Sequence, residues 1–107
     1  MNYTVKITDT AKDDLREIAL WIAGKASDVG PAKKFVQELK SECLKLNTFP
    51  DSGAYPQDRI LRSLDYRFIE HKGYLIFFLT DTEQHLVNIM AIFNEKKDYS
   101  RLLNRFI

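Results

Sequence analysis

The residues best suited to chemistry in this chain are six cations and one aromatic hydroxyl: Arg59, Arg62, Arg67, Lys96, Lys97, Tyr99 and Arg101. Cations grip phosphate oxygens, and a tyrosine or lysine can transfer a proton. Such a set fits contact with a phosphate backbone or its cleavage. Each member also has a plainer reading. A tyrosine at the start of an amphipathic helix packs, and strand arginines lay their stems on apolar surface with the head group in water. Spacing alone singles out none of them as catalytic.

Other chemistries lack their residues. Cys43 falls inside an apolar helical stripe beside Leu39 and Leu46, so it reads as a small core residue; a nucleophile needs exposure and a lowered pKa. His71 and His85 fall in an expected turn and at a strand edge, with no cysteine or carboxylate set at ligand spacing. No metal and no cofactor are expected. Asp13, Asp14 and Glu17 read as complements to a helix dipole. The four glycines are scattered, so no phosphate-cradling loop is present.

Charge is nearly balanced, with 16 basic and 15 acidic residues and a net +1. That excludes binding nucleic acid through the overall field. The stretch from Lys96 to Ile107 is the exception, carrying Lys96, Lys97, Arg101 and Arg105 against Asp98 alone. An anionic partner would meet this end; a solvated amphipathic helix explains the same pattern.

These residues need positioning elements, and the pattern supplies them. The 107 residues suffice for a single domain, 1–107, able to bury roughly 65% of its unfolded surface. Tyr3, Val5 and Ile7 alternate with polar residues, which predicts a short strand. Thr8-Asp9-Thr10 can cap a helix over Ala11, Leu15, Ile18, Ala19 and Ile22, bordered by Trp21 and ending near Gly24–Ser27. Gly30-Pro31 opens a second helix with the stripe Ala32, Phe35, Val36, Leu39, Cys43 and Leu46. The short link predicts an antiparallel helical hairpin. A loop from Thr48 to Asp58 holds Pro50, Gly53 and Pro56.

Three strands follow: Ile60 to Ile69, Tyr74 to Thr80 and Leu86 to Phe93, joined by short polar turns. The first alternates, placing Ile60, Leu64, Tyr66 and Phe68 on one face with Arg62, and Arg67 on the other. Tyr99, Leu102, Leu103 and Phe106 predict a short closing helix. The order β-α-α-β-β-β-α defines an α+β domain: a helical hairpin packed on a small, mainly antiparallel four-stranded sheet. No apolar run is long enough to cross a bilayer, and the N-terminus lacks the form of a signal peptide, so the cytoplasm is expected and a membrane is not.

With these residues in view, the chain resembles the RelE/ParE superfamily of type II toxin–antitoxin toxins. Val5-Lys6-Ile7-Thr8, Ala11 and Asp14-Leu15-Arg16-Glu17-Ile18 resemble its opening strand and helix. Phe49-Pro50-Asp51-Ser52-Gly53 resembles its loop after the hairpin. Arg67 and Gly73-Tyr74-Leu75-Ile76-Phe77-Phe78 resemble mid-sheet. Val87 to Phe93, then Lys96-Lys97-Asp98-Tyr99 and Leu102-Leu103, are similar to its last strand and tail. Each motif alone is weak; their order covers almost the whole chain.

The resemblance implies a toxin neutralised by a cognate antitoxin, with operator DNA bound only through that complex. ParE-like members poison DNA gyrase; RelE-like members cleave mRNA on the ribosome without a metal. The ribonuclease pattern implies Arg67, Lys96, Lys97 and Tyr99 as catalytic residues. It also has an arginine where Leu75 stands here, and a stronger positive charge. The departures favour a ParE-like, non-catalytic toxin. Its target- or antitoxin-binding residues are expected to be Arg62, Lys96, Lys97, Tyr99, Arg101, Leu102, Leu103, Arg105 and Phe106. A binding module without toxicity is the third reading.

Overall fold

The computed structural model describes residues 2–96 and Leu102. Strand β1 (Thr4–Ile7) leads into helix α1 (Asp9–Ala26), then α2 (Gly30–Leu44) and a 3-10 turn over Lys45–Asn47. A loop and a short helix α3 (Arg59–Ser63) precede strands β2 (Arg67–His71), β3 (Tyr74–Asp81) and β4 (Leu86–Asn94).

Local chemistry sets these bounds. Thr8 caps α1, its hydroxyl accepting from the Ala11 amide at 3.3 Å, and Ser27 ends it in the left-handed region at φ 55°. Pro31 sits in the first turn of α2, where a missing amide proton costs no helical bond. Lys72 and Gly73, at φ 49° and 83°, make the two-residue turn between β2 and β3, which suits two successive left-handed residues.

The sheet order is β1-β4-β3-β2, with β1 parallel to β4 and the other pairs antiparallel. The helical hairpin covers one face. Ala11, Leu15 and Ile18 of α1 and Leu39 and Cys43 of α2 pack there on Ile76, Phe78, Val87, Ile89 and Ile92. The opposite face is apolar too: Leu61, Tyr66, Leu75, Phe77, Ala91, Phe93 and Leu102 form a second buried cluster. The domain is α+β, as its pattern implies.

Two local features depart from the sequence reading. The strand expected over Ile60 to Ile69 begins only at Arg67, because Asp58 caps α3 and accepts from the Ile60 and Leu61 amides at 2.9 and 3.0 Å. Leu61, not Ile60 or Leu64, is buried; the latter two are exposed. Arg62 therefore lies on a helix, and its Nε donates to the Pro56 carbonyl at 3.2 Å. The second departure is a bulge in β4. Phe77 pairs with Ala91 but Phe78 pairs with Ile89, so Met90 is the extra residue opposite β3. Residues 87 and 89 face the helices before it, and Ile92 does so after it.

Candidate functional site

β1 stops short of β4. Their pairing ends at Ile7 with Ile89, so among the described residues β4 runs on toward Asn94 with β3 on one side and no strand on the other. Side chains of α1 take over the exposed backbone. The Thr8 hydroxyl donates to the Ile89 carbonyl at 2.7 Å, and Thr10 reaches the Met90 carbonyl at 3.5 Å. One turn further on, the Asp14 carboxylate accepts from the Ile92 amide at 2.9 Å. Asp14 is buried. The acidic residues read as dipole complements thus divide: Asp13 makes an exposed ion pair with Arg16 at 2.8 Å, while Asp14 ties helix to sheet. Asp14 falls on the stripe of Ala11, Leu15 and Ile18, and a carboxylate on an apolar stripe was the signal for this role.

Beyond Asp14 the two elements diverge and leave a groove of about 440 Å³. Its walls are Asp14, Glu17, Ile18 and Trp21 of α1 against Tyr74, Ile92, Phe93 and Asn94, with Lys96 at the end. Trp21 is 60% exposed on the rim, an unusual place for a tryptophan. Of the expected site residues that the structure describes, only Lys96 lines this groove. Trp21, Glu17 and Asn94 were not singled out by sequence, although Trp21 borders the apolar stripe of its helix.

Arg67 is committed elsewhere. Its Nη1 donates to the Asp51 carbonyl at 2.9 Å, its Nη2 to the Tyr55 hydroxyl at 2.7 Å, and its guanidinium stacks on the Tyr55 ring at 4.5 Å. The loop it holds also pairs Ala54 with Phe68 of β2. Gly53 lies so close that an added Cβ would sit 2.7 Å from Phe78 Cζ. Arg67 is far from Lys96 as well. It pairs with Phe78 while Asn94 pairs with Tyr74, and Tyr74 to Phe78 spans roughly 13 Å along β3 at about 3.3 Å per residue. The expected pair of cations does not converge on one phosphate. Arg67→Ala is expected to destabilise the fold by about 1–2 kcal/mol, the loss of two hydrogen bonds and a cation–π contact at a partly exposed site. Faster limited proteolysis within residues 49–58 would register it, and an unchanged cleavage rate would refute this role.

Leu102 is buried in the second cluster, which settles it as core. Lys97, Tyr99, Arg101, Leu103, Arg105 and Phe106 lie outside the described residues. Leu75, at the place where the ribonuclease pattern has arginine, is buried in the same cluster.

Cys43 is no nucleophile. Burial, with the Glu42 charge beside it, pushes its thiol up to about 12. His71 ends β2, not a turn, and forms a charge cluster with α2: Nε2 lies 2.8 Å from Glu38 Oε1, and Nδ1 3.5 Å from Glu42 Oε1. Lys72 Nζ approaches Glu38 at 2.9 Å. Hydrogen bonds from Lys72 and His71 hold the Glu38 carboxyl below its ordinary 4.5. A depressed carboxyl stabilises above its unfolded pKa, and the contribution is lost as pH falls through the folded one. Wild type should therefore exceed Glu38→Gln in stability by a constant margin at neutral pH, shrinking below pH 4.5. Urea midpoints across acid pH check this; a margin independent of pH would refute it. Among the described residues no cluster of His, Cys, Asp and Glu is arranged to hold a metal ion, and no helix is long and apolar enough to cross a membrane.

Comparison with known proteins adds the following. Residues 5–99 match the family described as the ParE toxin of the type II toxin–antitoxin system parDE. No curated protein matches the sequence. Among solved structures, the RelBE2 toxin–antitoxin complex of Mycobacterium tuberculosis contains a similar chain, with 18% identity, 91% of this chain and 95% of that chain covered, and a TM-score of 0.67. The free E. coli toxin RelE, as a double-arginine mutant, has 13% identity with both chains fully covered and a TM-score of 0.67. The isolated E. coli RelE toxin has 14% identity, 98% and 99% coverage and a TM-score of 0.60. At these identities the structures are alike in fold.

Proposed function

From the premise that the chain belongs to the ParE toxin family of type II toxin–antitoxin systems, we propose that this toxin arrests growth by gripping DNA gyrase and trapping its cleaved-DNA complex. The observation that carries this reading is the commitment of Arg67 to Asp51 and Tyr55. A phosphodiester-cleaving site needs cations aimed at the charge that develops on the phosphate. Here the sheet's arginine is turned to a loop and Leu75 is buried in the core, which supports a toxin that acts by binding. Net charge near zero agrees, since a ribosome-bound nuclease gains its affinity from phosphate contacts.

The toxin's partner is a cognate antitoxin, as in the M. tuberculosis RelBE2 complex, and operator DNA is met only through that complex. The protein acts in the cytoplasm, where gyrase and its DNA are. Lys96 is exposed, and the cationic sequence that it opens is the part we assign to partners.

Purified toxin added to gyrase and relaxed plasmid is expected to block supercoiling and to leave linear DNA after protein digestion. Full supercoiling at molar excess, together with cut mRNA in a translating extract, would reverse the assignment in favour of ribosome-dependent mRNA cleavage. Neither effect, with no growth arrest on expression, would leave a binding module.

A further inference from the structure

We infer that residues 55–64, at the Arg67 end of the sheet, form a second contact surface of the toxin, one that seats an acidic protein surface with an apolar centre. Naming that protein as gyrase rests on the reading proposed above.

The segment is fastened along its path. Gly53, just before it, packs so closely on Phe78 that a Cβ has no room. Ala54 exchanges two hydrogen bonds of 2.9 Å with Phe68 of β2. Arg67 stacks on the Tyr55 ring and donates to its hydroxyl. Pro56 is fully buried, and its carbonyl accepts from Arg62. Asp58 then caps α3, whose Leu61 is buried in the second cluster. A loop that only joins two elements has no need of so many ties. They hold exposed side chains in one arrangement, which lowers the ordering cost of a later contact.

The side chains so held have the composition of an interface. Tyr55 is 49% exposed, Ile60 57% and Leu64 45%. Ile60 and Leu64, one turn apart, share a stripe of α3 away from the buried Leu61. Arg59 lies beside this stripe, with Arg62 beyond it. Tyrosine and arginine next to apolar groups are what interface centres enrich. Charge selects the partner. Among the described residues no ion pair reaches Arg59 or Arg62. Asp58 is occupied by the Ile60 and Leu61 amides, and Asp51 lies 3.8 Å from Arg67. Within residues 51–67 that leaves Asp65, exposed after α3, to offset two guanidinium charges. An acidic surface complements the surplus. A phosphate backbone fits less well: it leaves Ile60 and Leu64 without apolar partners and draws its affinity from a larger set of cations.

The test uses gyrase holoenzyme and the intact toxin. Arg59→Glu and Ile60→Asp change exposed side chains, so both variants should keep the wild-type Tm and circular dichroism. Each is expected to raise the toxin concentration that half-inhibits supercoiling roughly tenfold or more, and Leu64→Ala by less. Calorimetric titration into gyrase should show the same losses. Arg59→Lys, which keeps the charge, should recover most of the affinity. Three altered positions keep the test independent of any one variant that misfolds. Wild-type potency in Arg59→Glu and Ile60→Asp would overturn the inference and leave gyrase inhibition standing. Equal losses of affinity for a linear DNA duplex alone would assign the face to DNA and overturn its protein partner. A wild-type toxin that neither binds nor inhibits gyrase would sink both the inference and the reading it rests on.

Discussion

Phe77→Ala is expected to cost about 3–5 kcal/mol, the range for deleting a large buried aromatic ring. Phe77 is fully buried at the centre of the sheet face away from the helical hairpin. It stacks on Phe93 at 5.2 Å, tilts against Phe68 at 5.5 Å and meets Tyr66 edge-on at 6.4 Å. Rings in such arrangements contribute beyond their buried area. Neighbours on β2 and β4 are held by the ladder and cannot close a cavity between them. A domain of this size has about 5–15 kcal/mol in all, so the variant should be partly unfolded at physiological temperature. Phe77→Leu, which keeps most of the volume, should cost less than about 1.5 kcal/mol. Urea denaturation separates the two. A loss below about 1 kcal/mol for Phe77→Ala would mean this face is loosely packed. The face also seats Leu102, so the variant removes packing from that residue as well.

The second large effect is expected at Asp14. Asp14→Ala should destabilise by about 2–3 kcal/mol, because it removes a charged acceptor and leaves the Ile92 amide buried without a partner. In a domain of this length that lowers Tm by on the order of 10 °C. Asp14→Asn keeps an oxygen at the same place and should cost about half as much. The loss is also local. The Ile92 amide should exchange quickly in Asp14→Ala, while amides paired between β2 and β3 keep their protection up to the lowered global limit. Uniform acceleration, with no excess at Ile92, would show that Asp14 does not seal the sheet edge.

Both effects arise from contacts between distant parts of the chain, and that is where sequence reading loses force. The helical hairpin, the β3 and β4 strands and the family were legible because each rests on periodicity or on short motifs within one segment. Ala11, Leu15 and Ile18 repeat at helical spacing, and they are buried as that spacing requires. The turn at Lys72-Gly73 was legible for the same reason. The strand placed over Ile60 to Ile69 was not, because alternation in Ile60, Leu64 and Tyr66 competes with a cap at Asp58 that needs only two amides to start a helix.

Sequence by itself determined the cations and their count, the apolar stripes, the α+β class and the membership in a toxin family. It offered Arg67 and Lys96 as members of one site. Tertiary structure alone decided their separation, since Arg67 lies at one end of the sheet and Lys96 at the other, and the loop around Asp51 and Tyr55 claims the guanidinium. It also decided that Met90 bulges, so that the face presented by β4 changes midway, and that Asp14 reaches an amide 78 residues away. The physical reason is common to all three. A side chain's period is set by its neighbours in sequence, but its hydrogen-bond partner is set by which backbone groups the assembled sheet leaves unpaired.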